Sequence, residues 1–208
     1  MVIQYSDGLL NSIAPGLSGF RPFAIAPTGE RFEVSRQWVF HFGLNEGIGS
    51  IVYTPVLAGA LRQYFRRTSA ALLHYDLMRK SLEEYFDQFI PDSPKFGKYF
   101  TALNSAEICI LQIQMAAESL NKSVLRDLKE GKISGPNYDN CFSISNNIKH
   151  FGERIQQGRS DSFFPVWFLT EGVTNGKITL TFDALFDVVD NLYQFAIQII
   201  KKNQRQHE

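Results

Sequence analysis

Three polar residues in the C-terminal half of the chain could do chemistry together. Asn146, His150 and Glu153 recur at intervals of 4 and 3 residues, which places them within about 60° of one another on one side of a helix. An imidazole titrates near neutral pH and can take or give a proton in a reaction such as RNA cleavage. The same row also fits the solvated face of an amphipathic helix with no chemistry at all. Both interpretations stay open on the spacing alone.

The helix that carries this row is predicted to run from residue 141 to residue 157, after a loop at 129–140. Its apolar residues recur at intervals of 4, 3 and 4 and predict a buried stripe opposite the polar row. They are Ile144, Ile148, Phe151 and Ile155. We therefore expect His150 to face away from the core.

Two longer helices are predicted before this one. Thr54 and Pro55 are typical of a helix start, with Thr as the N-cap and Pro at the first helical position. Apolar residues then keep a near-heptad register up to residue 89. After a second start at Ser93, they step by 3 and 4 as far as Val124. Two helices of about 30 residues joined by a short turn predict an antiparallel pair about 45 Å long.

A β-hairpin at 166–182 and a last helix at 183–202 complete the predicted fold. Asn175 and Gly176 are typical of a two-residue hairpin turn. Counting outward pairs Val173 with Ile178, Glu171 with Leu180 and Leu169 with Phe182, with Trp167 on the same face as Leu169 and Val173. We expect Asp183 to cap the last helix. The predicted fold class is all-α, a four-helix bundle-like core with two long antiparallel helices and a small β-hairpin before the last helix.

Residues 1–53 are predicted to form an irregular arm, and residues 54–208 the helical domain. The arm holds seven of the fifteen glycines, and its prolines interrupt any long periodicity. Trp38, Phe40 and Phe42 could pack onto the helical domain.

Composition limits the classes of function. The chain has 208 residues, with 21 Lys plus Arg against 21 Asp plus Glu. Zero net charge argues against broad electrostatic binding to nucleic acid or to an anionic membrane, although a local patch could still contact RNA. Eighteen Phe and eight Tyr, together with this neutrality, predict self-association as a two-fold dimer.

Cellular location and cysteine chemistry follow from local patterns. The first residues lack the basic start and apolar run of a signal peptide, and no segment is apolar enough to span a membrane, so we expect a cytoplasmic protein. Cys109 and Cys141 fall in helical patterns and are expected to be buried, reduced thiols.

Neither a cofactor nor a metal is predicted. The four histidines are too far apart in sequence for a local zinc site. Asp183, Asp187 and Asp190 share one face of the last helix, where they are expected to complement the helix dipole rather than hold a metal. Basic clusters at 62–67 and 149–159 are expected to be solvated faces, with phosphate contact as the alternative.

The third helix resembles the motif helix of the HEPN superfamily of small, mostly prokaryotic helical proteins. The family motif is an Arg followed after four to six residues by His, commonly with a polar residue directly after the Arg. Asn146 and His150 match the polar position and the histidine, and Phe151 with Glu153 match a common continuation. The arginine position falls on Ser145, which departs from the motif. The resemblance covers residues 55–200.

The resemblance implies a dimer with its motif helices near one another and a role in toxin–antitoxin or antiphage systems. Metal-independent RNA cleavage needs an acid or base, here His150, and a cation for the phosphorane charge. Ser145 cannot supply that charge. Arg154 could replace the arginine, as could Lys149 or an arginine of a second subunit. The candidate catalytic residues are therefore His150, Asn146, Arg154 and Glu153.

Three functions are predicted in order of preference. The first is a HEPN-like helical interaction protein with a degenerate nuclease motif, associated with RNA or with an antitoxin or other partner in bacterial defence. The second is an active metal-independent endoribonuclease that uses His150. The third is a plain helical scaffold or dimerisation protein whose N-terminal arm docks a partner.

Overall fold

The computed structural model describes residues 54–87, 96–120, 122–128, 133–159 and 164–205. Within them the helices are α1 (Pro55–Asp87), α2 (Phe96–Ser119), α3 (Lys122–Leu128), α4 (Pro136–Lys149), α5 (Phe151–Gln156) and α6 (Phe182–Arg205), and the strands are β1 (Trp167–Leu169), β2 (Gly172–Thr174) and β3 (Thr179–Thr181). The predicted arm at 1–53 lies outside the described residues, as does the predicted start at Ser93.

The two long helices are confirmed as an antiparallel pair. The Thr54 hydroxyl accepts a hydrogen bond from the Leu57 backbone N–H at 3.3 Å, which is the expected N-cap of α1. The Tyr85 and Tyr99 rings pack at 5.7 Å near the end of α1 and the start of α2, and Arg67 donates to Gln112 farther along the two helices. With 33 and 24 residues, α1 and α2 extend about 50 and 36 Å at 1.5 Å per residue.

The second long helix is shorter than predicted: it ends at Ser119 rather than continuing as far as Val124. The Ser119 hydroxyl donates to the Ala116 carbonyl at 2.6 Å, and the Leu120 N–H bonds to the Ala117 carbonyl at 3.1 Å. These local bonds tighten and close the last turn. Leu120 and Val124 are both buried, so the apolar register continues across a break that the spacing alone does not reveal.

The third predicted helix is two helices, and it begins earlier than predicted. The predicted loop at 129–140 is wrong in its last part, because α4 starts at Pro136 after Gly135, whose φ is 147°. Pro at the first helical position is the same signal that starts α1. At His150 the backbone turns to φ −99° and ψ 9°, which separates α4 from α5. Ile144 is buried as predicted, whereas Ile155 is 54% exposed, so the predicted stripe fades along α5.

A three-stranded antiparallel sheet replaces the predicted two-stranded hairpin, and its register differs. Val173 lies opposite Leu180, and Thr174 opposite Thr179, two residues away from the predicted pairing. Asn175 explains the shift, because its side-chain carbonyl accepts the N–H groups of Lys177 and Ile178 at 3.0 Å each. This arrangement forms a four-residue loop instead of a two-residue turn.

The first strand of the sheet faces the core with a different residue from the one predicted. The chain reverses at 170–171, so the predicted long strand becomes β1 and β2. Phe168 is fully buried, whereas Trp167 and Leu169 are half-buried. Phe168, Val173 and Leu180 lie opposite one another across the three strands and form the apolar face of the sheet.

The last helix is confirmed, but its cap is Thr181 rather than Asp183. The Thr181 hydroxyl accepts the Ala184 N–H at 3.1 Å. Helix α6 packs against α1, α2 and α4, and Tyr64 of α1 donates its hydroxyl to the Leu192 carbonyl at 2.6 Å. The all-α core, with its small sheet before the last helix, is therefore as predicted in class.

Candidate functional site at the junction of α4 and α5

His150 lies at the junction of α4 and α5. Its backbone N–H bonds to the Asn146 carbonyl at 3.1 Å, and its carbonyl accepts the Arg154 N–H at 3.2 Å. Backbone hydrogen bonds of helical spacing thus continue on both sides of His150, which lies in the irregular step between α4 and α5. The His150 side chain is 59% exposed and points to solvent, as the sequence predicts.

The structure brings two of the predicted site residues into contact. His150 Nδ1 lies 3.1 Å from Glu153 Oε2, and both side chains are largely exposed. Asn146 is also exposed, and its backbone carbonyl accepts the His150 N–H. An imidazole beside a carboxylate can act as an acid or base, but this pair supplies no positive charge for a phosphorane.

Arg154 is engaged elsewhere. Its guanidinium donates a hydrogen bond to the side-chain oxygen of Asn147, and the Asn147 amide nitrogen donates to the Pro165 carbonyl at 2.6 Å. Asn147 is buried. A chain of hydrogen bonds therefore runs from α5 through α4 to the segment that enters β1, and Arg154 is its outermost member.

The end of α5 is fixed by a glycine cap. Gly158 has φ +65°, where a side chain would be strained. The Arg159 N–H bonds to the Arg154 carbonyl at 2.9 Å, and the Gly158 N–H bonds to the Ile155 carbonyl at 3.0 Å. This pair of bonds is the Schellman motif. It closes the short helix and fixes the backbone from which Arg154 projects.

Ser145, at the position of the family's arginine, points into the core. It is fully buried, and its hydroxyl donates to the side-chain oxygen of Gln114 on α2. Gln114 in turn donates to Glu118 Oε1 at 2.5 Å, and Lys149 Nζ lies 3.8 Å from that same oxygen. Ser145 therefore belongs to a polar chain that joins α4 to α2 and ends at the surface. Because this position faces α2, it does not share a surface with His150.

The predicted basic clusters are only partly available for phosphate. In the first, Arg67 is bonded to Gln112 at 3.1 Å, Arg62 also has an interaction partner, and Arg66 is exposed. In the second, Arg154 is bonded to Asn147, and Arg159 is exposed.

Metal and thiol chemistry find no support in the described part of the chain. No group of three or more His, Cys, Asp or Glu side chains that could hold a metal ion occurs there. Cys109 and Cys141 are both buried and free, as predicted. Burial raises the pKa of the Cys109 thiol well above its usual value and that of Cys141 to about 12. Both thiols therefore stay protonated and unreactive near neutral pH.

Two residues that organise this region were missed by the sequence analysis. Asn147 and Gln114 are buried amides that connect α4 to β1 and to α2. Each lies directly beside an apolar residue of its predicted stripe, Asn147 before Ile148 and Gln114 after Ile113. A buried amide must find a hydrogen-bond partner. An amide next to a predicted buried stripe was therefore the signal in the sequence that could have identified these two residues.

Comparison with models of protein families, with curated proteins and with solved structures gives no match to this chain. Among the described residues, no helix combines the length and the hydropathy needed to cross a membrane.

Proposed function

We propose that this protein is a HEPN-like helical interaction protein that binds RNA in a bacterial defence or toxin–antitoxin setting, with little or no nuclease activity of its own. The observation that carries the proposal is the fate of the three positions in this chain from which a catalytic cation would come. Lys149 lies with its Nζ 3.8 Å from Glu118 Oε1. Ser145 is buried against Gln114, and Arg154 is bonded to Asn147. His150 is left with the Glu153 carboxylate as its side-chain partner.

The missing cation decides between binding and cleavage. In-line attack by a 2′-hydroxyl builds negative charge on the phosphorane, and a fixed positive charge is normally the largest source of its stabilisation. A carboxylate beside His150 disfavours that charge. An acid or base acting alone contributes about 10²–10⁴-fold, so we expect RNA to be bound without measurable turnover.

RNA contact is supported by cations on either side of the His150–Glu153 pair in sequence. Lys149, whose Nζ lies 3.8 Å from Glu118 Oε1, and Arg159 are both exposed. Because the whole chain is neutral, binding should rest on these few contacts and should be weak. Two phosphate contacts on single-stranded RNA predict a log–log salt slope of about −1.4. Two buried free thiols suit a reducing compartment, which supports the proposal that the protein acts in the cytoplasm.

The binding test is fluorescence anisotropy with a labelled single-stranded RNA over a series of salt concentrations. Arg159→Ala should weaken binding and reduce the magnitude of the salt slope by about 0.7, the share of one phosphate contact. Lys177→Ala, which removes an exposed charge from the β2–β3 loop, is the matched control and should leave both unchanged. Absence of binding by the wild type would leave the plain helical scaffold as the better description.

The cleavage test uses the same RNA in the presence of EDTA. We expect no cleavage by the wild type. Cleavage that survives EDTA and falls by about 100-fold or more in His150→Ala would instead identify an active metal-independent endoribonuclease. His150→Ala should fold normally in either case, because the side chain is exposed and leaves no cavity.

A further inference from the structure

The outer face of α1 carries an exposed stripe with heptad spacing. The stripe consists of two sets of residues that each repeat every seven positions: Arg66, Leu73, Lys80 and Asp87, and Gln63, Ala70, Leu77 and Glu84. At its centre, Leu73 is 57% exposed and Leu77 is 39% exposed. Ala70, one turn earlier, is small and half-buried. Spacing of this kind keeps one seam of a helix directed towards a partner helix along its whole length.

Exposed leucines on a heptad seam suggest a second helix as the partner. The opposite side of α1 already supplies the core, through residues such as Leu61, Tyr64 and Leu72. The seam is therefore additional to what the described domain needs for its own packing. A seam with leucine at the centre and charges at the ends is typical of an antiparallel coiled-coil contact.

The charges make the seam complementary to a reversed copy of itself. In an antiparallel pairing centred at residue 75, Leu73 lies opposite Leu77 of a second copy, and Arg66 lies opposite Glu84. Arg66 and Glu84 are both exposed, and Glu84 also contacts Lys98 of its own chain. Lys80 falls opposite Ala70, whose small side chain leaves room for the long lysine stem. A parallel pairing would instead place each charged residue opposite its own copy, which is repulsive.

We propose that the outer face of α1 is the dimer interface of this protein, formed by two copies of α1 that pack antiparallel about a two-fold axis near residue 75. Each copy contributes Leu73 and Leu77 to a four-leucine centre, with an Arg66–Glu84 pair on either side. The interface does not involve α4 or α5, so it differs from the motif-helix dimer that the resemblance implies. It leaves Lys149 and Arg159 accessible but covers Arg66 of the first basic cluster. It is also independent of whether the protein binds RNA.

The size of the contact sets its expected strength. The seam from residue 63 to residue 87 is about 36 Å long at 1.5 Å per residue. A single helix pair of this length lies at the lower end of the areas that support stable dimers, about 1,200 Å² in total. We therefore expect a monomer–dimer equilibrium in the micromolar range rather than an obligate dimer.

Cysteine cross-linking of the full chain tests both the face and the direction of pairing. Leu73→Cys and Leu77→Cys are prepared separately and oxidised with diamide, alone and as an equimolar mixture. Antiparallel pairing predicts a disulfide-linked dimer mainly in the mixture, because position 73 meets position 77. Wild type is the control and should give none, since Cys109 and Cys141 are buried. Efficient cross-linking of either variant alone, with none gained on mixing, would overturn the proposed register.

Sedimentation equilibrium supplies the affinity test. Leu73→Glu should raise the dimer dissociation constant by about 100-fold or more, because both copies lie at the centre of the contact. Val56→Glu is the matched control: Val56 is 75% exposed on the same helix but lies one heptad before residue 63, beyond the overlap of the two helices, so dimerisation should persist. Thermal melts check that both variants fold. A wild type that stays monomeric at every concentration would overturn the proposal and indicate that the arm at 1–53 or another protein covers this face. A dimer unaffected by Leu73→Glu would place the interface elsewhere.

Discussion

Arg154 should act as a structural anchor, and a double-mutant cycle with Asn147 can measure this. The guanidinium donates to Asn147, and Asn147 donates to the Pro165 carbonyl at 2.6 Å. If these bonds hold α5 and the entry to β1 in place, Arg154→Ala must lower the free energy of unfolding. That loss must also depend on the presence of Asn147.

The expected magnitudes follow from burial. Asn147 is 8% exposed, so Asn147→Ala removes a buried donor from the Pro165 carbonyl and should cost about 1–3 kcal/mol. Arg154 is exposed, so its single bond should contribute only about 0.5–1 kcal/mol. In the Asn147→Ala background its partner is already gone, and Arg154→Ala should then cost close to nothing. The coupling free energy is therefore about 0.5–1 kcal/mol.

Urea unfolding of the wild type, both single variants and the double variant gives the four free energies. For a chain of this size, each kcal/mol lowers Tm by about 2–4 °C, so thermal melts provide a second reading. Arg159→Ala is the matched control, because it removes the same charge from an exposed side chain and should change stability by less than about 0.5 kcal/mol. Equal costs of Arg154→Ala in the two backgrounds would refute the anchoring role. Unchanged stability combined with loss of RNA cleavage would make Arg154 a catalytic residue.

Three further predictions concern other sites. Burial raises the pKa of Glu107 from 4.5 to about 7, so between these pH values the folded state holds a proton that the unfolded state releases, and stability falls as pH rises from 4.5 to about 7. Glu107→Gln should flatten this pH dependence of stability in thermal melts, and an unchanged slope would contradict the prediction. Gly172→Ala should lower the free energy of unfolding by about 1–3 kcal/mol in urea, because a Cβ there would overlap the Leu180 carbonyl. An unchanged free energy would mean that β2 and β3 can shift apart at little cost. Ser145→Arg, which restores the family's arginine, should lower the free energy of unfolding by about 3 kcal/mol or more in the same assay, because Ser145 is buried against Gln114. A stable variant that gains RNA cleavage would refute the buried position of Ser145.

Features set by neighbours along the chain were predictable from the sequence. The start of α1 follows from Thr54 and Pro55, whose hydroxyl and fixed φ act within one turn. The burial of Cys109 and Cys141 follows from their places in the helical apolar pattern. The start of α4 at Pro136, which lies inside the predicted loop, obeys the same local rule as the start of α1 at Pro55.

Features that leave no signal in the periodicity of the sequence were not predictable from it, even where the contacts that cause them are local. The sheet register was set by Asn175, whose side chain satisfies two backbone N–H groups and lengthens the loop. Periodicity could not show this, because a shift of two residues keeps every side chain on the same face. The reversal at 170–171, which turns Phe168 rather than Trp167 into the core, likewise has no periodic signal.

The candidate site also has one part that the sequence determines and another that only the tertiary structure decides. The spacing of Asn146, His150 and Glu153 determined that they lie on one exposed side, since a helix repeats every 3.6 residues whatever surrounds it. Only the tertiary structure decided that Ser145 bonds to Gln114 of α2 and that Arg154 bonds to Asn147. Those outcomes depend on which helix packs against α4 and on where the β1 segment passes. The sequence thus placed the histidine on the surface, and the packing of other elements around α4 directed the neighbouring polar groups away from it.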